Sequence, residues 1–166
     1  MPATPFHLGP GVLIKAVAPQ QFSMAAYSLA QVAIDIEPGY YLLRHESPVH
    51  RDAHTFLLGG MIGVLSGLIV SRVGPRVVRA RDVVGEAIAA EYRLSVAVLS
   101  GFFGGIFHSV LDALMHADVH PFRPFSGANP LLGLVSDRMI YLFCIVTGLV
   151  GAVVLLALER RPRRFH

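Results

Sequence analysis

Residues 139–158 form an unbroken apolar stretch without one ionisable side chain. About 20 such residues, wound as a helix, cover the roughly 30 Å hydrocarbon core of a bilayer. Inside lipid the backbone must satisfy its own hydrogen bonds, so a stretch of this kind dictates a membrane-crossing α-helix. Residues 55–71 are also free of charge, and Val73 extends their apolar character. Residues 94–115 are equally long but carry His108 and Asp112 in their second half. The composition agrees: 54% of the chain is hydrophobic and 15% charged, where an ordinary soluble domain is about 25% charged. That excludes a disordered chain, a coiled coil and a charge-steered nucleic-acid binder. Cys144, the single cysteine, lies in an apolar run and rules out a disulfide framework or a cysteine metal cluster.

Two shorter apolar pieces, 8–18 and 22–34, precede these spans and are divided by Pro19, Gln20 and Gln21. Each reaches only about 16–20 Å as a helix. They read as a helical hairpin dipping into the membrane or as one broken span. A cleaved signal peptide fits less well, because no positive region precedes the apolar residues. The expectation is therefore an all-α, polytopic membrane protein forming one integral domain over 1–166. Its transmembrane helices are expected at 54–73, 94–115 and 139–158, with the hairpin or broken span at 8–34.

Thirteen of the 14 cationic side chains are arginine, and they set the orientation. Arg72, Arg76, Arg79, Arg81 and Arg93 lie in the loop after the first long span, and Arg160, Arg161, Arg163 and Arg164 in the tail. Alternating spans put all of these on one side, where Lys15 can join them, and leave Arg44, Arg51, Arg123 and Arg138 on the other. The richer side, with the C-terminus, is expected to face the cytoplasm of a bacterial-type inner (plasma) membrane. The linkers 37–52 and 116–137 then face outside. Glycines at 59, 60, 63 and 67, and at 101, 104 and 105, recur at helical spacing and permit close helix contact.

Histidine carries the chemical information. Six of the 8 histidines, His45, His50, His54, His108, His116 and His120, lie in or beside the two outer linkers. His7 starts the hairpin and Asp35 ends it. Thus His7, Asp35, His50, His54, His108 and Asp112 are expected to converge near the outer boundary, with all five helical ends feeding one pocket. His50 and His54 are spaced i, i+4, which stacks both rings on one face of a helix that starts near His50. His108 and Asp112 repeat that spacing. An ionisable residue at the depth of His108 costs at least about 2.5 kcal/mol on insertion unless it has a partner. A divalent cation offsets that cost, since neutral imidazole and carboxylate are zinc ligands.

Each feature has a plainer explanation. His108 and Asp112 alone would serve as a buried packing pair, and His50 and His54 as interfacial residues. Asp35-Ile36-Glu37-Pro38 would serve as a helix stop, the role assigned to Glu37 with Pro38 as breaker. His116, Asp118 and His120 read either as extra ligands or as a solvated loop. His45 and His166 read as surface residues, and Tyr40, Tyr41, Phe122 and Phe125 as an interfacial aromatic belt. The sequence lacks a Gly-x-Ser-x-Gly elbow, a phosphate-binding glycine loop and His-Glu-x-x-His. The stretch from His50 to His54 has the two histidines without the glutamate, which argues against zinc-peptidase chemistry.

The N-terminal histidine, the Asp35–Pro38 segment, His50-x-x-x-His54-Thr55, His108-Ser-x-x-Asp112 and His120-Pro-Phe122 resemble the YdjM-like family of inner-membrane, metal-dependent hydrolases. The resemblance covers roughly residues 7–132. The ligand order is also similar to that of zinc-dependent phospholipase C and P1-type nucleases. By that likeness Asp35, His50 or His54, His108, Asp112 and one of His116 or His120 match as ligands. The later His-x-x-x-Glu helix of those enzymes is missing, so one or two ions are implied, not three.

Together these readings give a metal-dependent hydrolase acting on a phosphoester or acyl bond of a lipid or lipid-linked substrate. The metal is expected to be zinc, held among His7, Asp35, His50, His54, His108, Asp112 and His120. It lowers the pKa of bound water from 15.7 towards about 7. Asp35 or Asp112, where free of metal, accepts the water's proton, and Arg51 or Arg123 forks an anionic phosphate. Membrane lipids are the expected partners, with a homo-oligomer allowed and nucleic acid excluded. The rival readings are a small ion- or proton-coupled transporter using His108 and Asp112, and a non-enzymatic scaffold whose polar cluster is structural.

Overall fold

The computed structural model of the protein describes residues 4–80 and 86–160. Among these residues the chain forms α1 (Thr4–Val17), α2 (Met24–Leu43), α3 (Phe56–Ala80), α4 (Glu86–Glu91), α5 (Leu94–Met115) and α6 (Asp137–Glu159), and no strand. The all-α expectation holds. Phe56–Val77, Leu94–Met115 and Asp137–Leu158 are each long and apolar enough to cross a membrane.

The N-terminal segment is a hairpin. Ser23 caps α2, its hydroxyl accepting a hydrogen bond from Ala26 N at 3.2 Å, and Pro19, Gln20 and Gln21 form the turn before it. The turn is tied down by Lys15, whose Nζ donates to Pro19 O at 2.9 Å and Phe22 O at 3.0 Å. The same Nζ pairs with Glu91 Oε2 at 3.4 Å, while Glu91 Oε1 accepts from Ala25 N at 2.9 Å. The two arms therefore return His7 and Asp35 to the same end of the bundle. Pro38 does not stop α2, which runs through it to Leu43. A proline deletes one N–H from a helix ladder, and the helix continues past that gap.

Glycine sets how close the helices come. A Cβ on Gly63 would collide with the carbonyl of Gly101, and one on Gly67 with that of Ala97, so α3 and α5 pack backbone to backbone. α5 also packs in parallel with α2, with Ser23 N donating to Ser100 Oγ at 2.8 Å and Gln31 Nε2 to Gly104 O at 3.2 Å. α1 leans on α6 through Gly9, Gly148 and Gly151. α6 is peripheral: 17% of its apolar window is buried inside the protein, against 44% for α5. Its outward residues, such as Leu149 and Val153, expose apolar side chains as a lipid-facing helix requires.

The bundle has two chemically distinct ends. At one end gather the start of α1, the end of α2, the loop before α3, the end of α5 and the start of α6. At the other lie the hairpin turn with Lys15 and the helix ends that carry Arg72, Arg76, Arg93 and Arg160. Arg81, Arg161, Arg163, Arg164 and His166 lie outside the described residues, as does the side chain of Arg79.

Candidate metal centre

α5 supplies the base of the site. His108 and Asp112, one turn apart, are both buried, with His108 Nε2 3.3 Å from Asp112 Oδ2. From α2, Asp35 Oδ1 approaches His108 Nε2 to 3.3 Å. From the loop before α3, His54 Nε2 comes within 3.1 Å of Asp112 Oδ2 and 4.0 Å of Asp35 Oδ1. One donor atom from each of Asp35, His54, His108 and Asp112 thus lies within 4.8 Å of the others. Ligands at about 2.0–2.2 Å from a tetrahedral ion sit roughly 3.3–3.6 Å from each other, and the observed separations bracket that range.

Hydrogen bonding points the same way. His54 Nε2, His108 Nε2 and Asp112 Oδ1 are buried and make no well-aligned hydrogen bond; what faces the two nitrogens is the carboxylate oxygens of Asp112 and Asp35, at 3.1–3.3 Å. The opposite ring nitrogens are engaged. His108 Nδ1 lies 2.6 Å from Gln31 Oε1, and His54 Nδ1 lies 3.5 Å from Glu37 Oε2. An Nδ1–H donated to each of these acceptors fixes the tautomer that aims the Nε2 lone pair into the cluster, the usual arrangement behind a metal-binding histidine. Two neutral imidazoles and two carboxylates can hold a divalent metal ion.

His7 completes the inner wall from α1. Its Nε2 is 3.5 Å from Asp112 Oδ1, and its Nδ1 is 3.3 Å from His108 Nδ1. The Tyr27 hydroxyl donates to His7 O at 2.8 Å and so anchors this part of α1.

The loop carrying His54 departs from the expected helix. Thr55 is the cap of α3, its Oγ1 accepting from Leu58 N at 3.1 Å. Residues 50–54 therefore precede the helix. They are shaped by Glu37, whose carboxylate accepts from the backbone N–H groups of Arg51 at 3.0 Å, Asp52 at 3.1 Å and Ala53 at 3.1 Å. Glu37 is thus an organiser of the site and not a helix stop. The rings of His50 and His54 meet edge to face, 4.8 Å between centroids, but they turn to different neighbours. His50 Nδ1 lies 2.9 Å from Asp118 Oδ1, and its ring stacks on His116.

Burial by itself raises the pKa of the Asp118 carboxyl, but hydrogen bonds from the His50 ring and backbone N–H outweigh it and bring the value below the ordinary one. Burial holds His116 below the usual histidine value, against the pull of Asp112.

Five of the expected metal residues, His7, Asp35, His54, His108 and Asp112, come together, while His50 and His120 do not join them. His120 Nδ1 lies 2.7 Å from Gly127 O, and His120 belongs to neither group of potential ligands. Arg51 is also committed. Its Nε donates to Pro48 O at 3.1 Å, its Nη2 pairs with Glu46 at 3.3 Å, and its guanidinium lies over the Tyr41 ring. α6 adds no polar side chain to the cluster among the described residues; its Ile140 and Cys144 pack apolar surface against Leu111. The expected single pocket of five helical ends is therefore a centre built from α1, α2, α5 and one loop, with a second group beside it. Sequence reasoning passed over Gln31, although it stands one turn before Asp35 on the same face of α2.

Compared with protein families, with curated proteins and with solved structures, the chain matches none.

Proposed function

We propose that the protein is a membrane-embedded, metal-dependent hydrolase. It cleaves a phosphoester or acyl bond of a lipid or lipid-linked substrate at the non-cytoplasmic face. The observation that carries this reading is the buried quartet of Asp35, His54, His108 and Asp112, with imidazole nitrogens left without hydrogen-bond partners at coordination spacing. The mixed nitrogen and oxygen donor set suits zinc. When bound, such an ion polarises a carbonyl or phosphoryl oxygen and brings the pKa of water towards about 7.

The chain's own residues supply orientation. Gln31 and Glu37 hold the two imidazoles in register. Asp35 and Asp112 both stand at ligand positions, and His7 Nε2 lies beside them, 3.5 Å from Asp112 Oδ1, as a further buried polar group on the inner wall. Of the two arginines considered for an anionic group, Arg51 is committed to its own loop. Arg123 lines a cavity of about 320 Å³ with Asp52, Thr55 and Leu57, residues that flank His54 in the sequence. Among the described residues no carboxylate lies within ion-pair distance of its guanidinium, although Asp52 lines the same cavity, so its fork of donors can turn to a phosphate. Leu57 also lines an apolar groove of about 560 Å³ that follows α3 and α5 past Met61, Leu65 and Phe102. An acyl chain in the groove and a head group at Arg123 would bring a lipid's ester region to the level of His54. The arginine-poor end facing outward accords with the positive-inside rule, and the reaction class is the one that the resemblance of the motifs to YdjM-like hydrolases implies.

The test is metal analysis of detergent-purified protein by mass spectrometry, paired with hydrolysis of anionic phospholipid in mixed micelles. Wild type is expected to carry zinc and turn lipid over. His108→Ala and Asp112→Ala are expected to lose the ion of the buried quartet and the turnover together. Metal content unchanged in both variants refutes the mechanism, and substrate flux without ester cleavage in proteoliposomes favours a transporter.

A further inference from the structure

Beside the quartet lies a second group of potential ligands. Donor atoms of His50, His116 and Asp118 all fall within 4.8 Å of one another. His50 Nδ1 is 2.9 Å from Asp118 Oδ1, and Asp118 Oδ2 also accepts from His50 N at 3.1 Å, so the carboxylate is held in place by the residue it faces. The rings of His50 and His116 stack with centroids 4.4 Å apart and planes 19° from parallel. His116 Nε2 is buried and has no hydrogen-bond partner. The placement follows from the helix repeat: His108, Asp112 and His116 stand at successive i, i+4 positions, so one stripe at the end of α5 reaches both groups. The edge-to-face contact of His50 with His54 makes the two groups immediate neighbours.

We infer that His50, His116 and Asp118 form a second binding site for a divalent cation of the zinc class, separate from the buried quartet. Three protein donors leave a fourth position open to solvent or ligand, the arrangement of exchangeable and catalytic sites. His116 and Asp118 are only partly buried, whereas the quartet has three buried members. The second ion is therefore held more weakly and exchanges faster. The inference does not rest on hydrolysis, since it concerns ion binding alone.

Zinc titration of the metal-free full-length protein in detergent, with bound ion counted by equilibrium dialysis and mass spectrometry, tests it. Wild type is expected to take up two equivalents, one tight and one at least tenfold weaker. His116→Ala and Asp118→Asn are expected to keep the tight equivalent and lose the other. The double variant His108→Ala/Asp112→Ala should keep the weak one. A single equivalent in wild type at saturation overturns the site, as does a second equivalent that survives both His116→Ala and Asp118→Asn. Loss of both ions in Asp118→Asn, with the helical circular dichroism intact, overturns the claim that the sites are separate. Absence of lipid hydrolysis would count against the proposed function while leaving these stoichiometries as they are.

Discussion

Two polar clusters, one buried and one part-buried, stand at opposite ends of the same bundle, and they are built on different principles. At the hairpin turn, Lys15 Nζ has three acceptors and both oxygens of Glu91 are used. That cluster is closed: each charged atom finds its partner within the protein, and the product is a fixed turn against the start of α5. At the histidine end, Nε2 of His7, His54 and His108 and Oδ1 of Asp112 are buried without hydrogen bonds. That cluster is open, with donors aimed inward and their opposite nitrogens fastened. A network that exists to hold the fold satisfies itself, because an unsatisfied buried polar group costs about 1–3 kcal/mol. At the histidine end the imidazole nitrogens and carboxylate oxygens face one another at 3.1–3.5 Å, a spacing that suits a shared cation as well as direct pairing.

The comparison breaks if added metal does nothing. Zinc at a thousandfold excess over its dissociation constant should stabilise the protein by about 4.1 kcal/mol, read as a rise in thermal midpoint in detergent. His108→Ala should abolish the rise at the same zinc concentration. The closed end gives the next largest effect. Lys15→Met leaves Glu91 without its cation in a part-buried setting and the Pro19 and Phe22 carbonyls without their donor, at a cost of about 1–3 kcal/mol. Its midpoint should fall while its zinc-induced rise stays as large as in wild type. A Lys15→Met protein that has lost its metal response would show that the two ends are not independent.

The open cluster was more legible in the sequence than the closed one. His108 and Asp112 stand out because ionisable groups in an apolar span carry a cost that demands a partner. The hairpin reading of residues 8–34 then brings His7 and Asp35 to the same level. The fate of His50 and His54 was hidden. Their i, i+4 spacing suggests a helix, but the cap that forms is Thr55, whose Oγ1 accepts from Leu58 N, and the residues before it bend around Glu37. Glu37 was unreadable for the same reason, since its partners are backbone N–H groups that leave no mark in sequence. Lys15 and Glu91 are 76 residues apart and share no motif, so nothing pairs them before the chain is folded. Pro38 was misread because a proline's helix-breaking tendency competes with the packing of the whole helix, and packing won.

Gln31 offers the finest test, because it is neutral and its role is only to orient. Its Oε1 lies 2.6 Å from His108 Nδ1, while its Nε2 donates to Gly104 O at 3.2 Å. Gln31→Leu removes the acceptor that fixes the tautomer of His108. Loss of such an outer partner weakens metal binding by about 10–100-fold, or about 1.4–2.8 kcal/mol at 1.4 per tenfold. Gln31→Glu keeps an oxygen for the Nδ1–H and should recover most of the affinity, although both variants lose the bond to Gly104. Competition against a chelator of known affinity separates the two. If Gln31→Leu and Gln31→Glu bind zinc equally weakly, the amide matters for packing α2 on α5 and not for aiming the imidazole. If only the leucine variant is weak, the orientation of His108 is set from α2, and the quartet is a site prepared before the ion arrives.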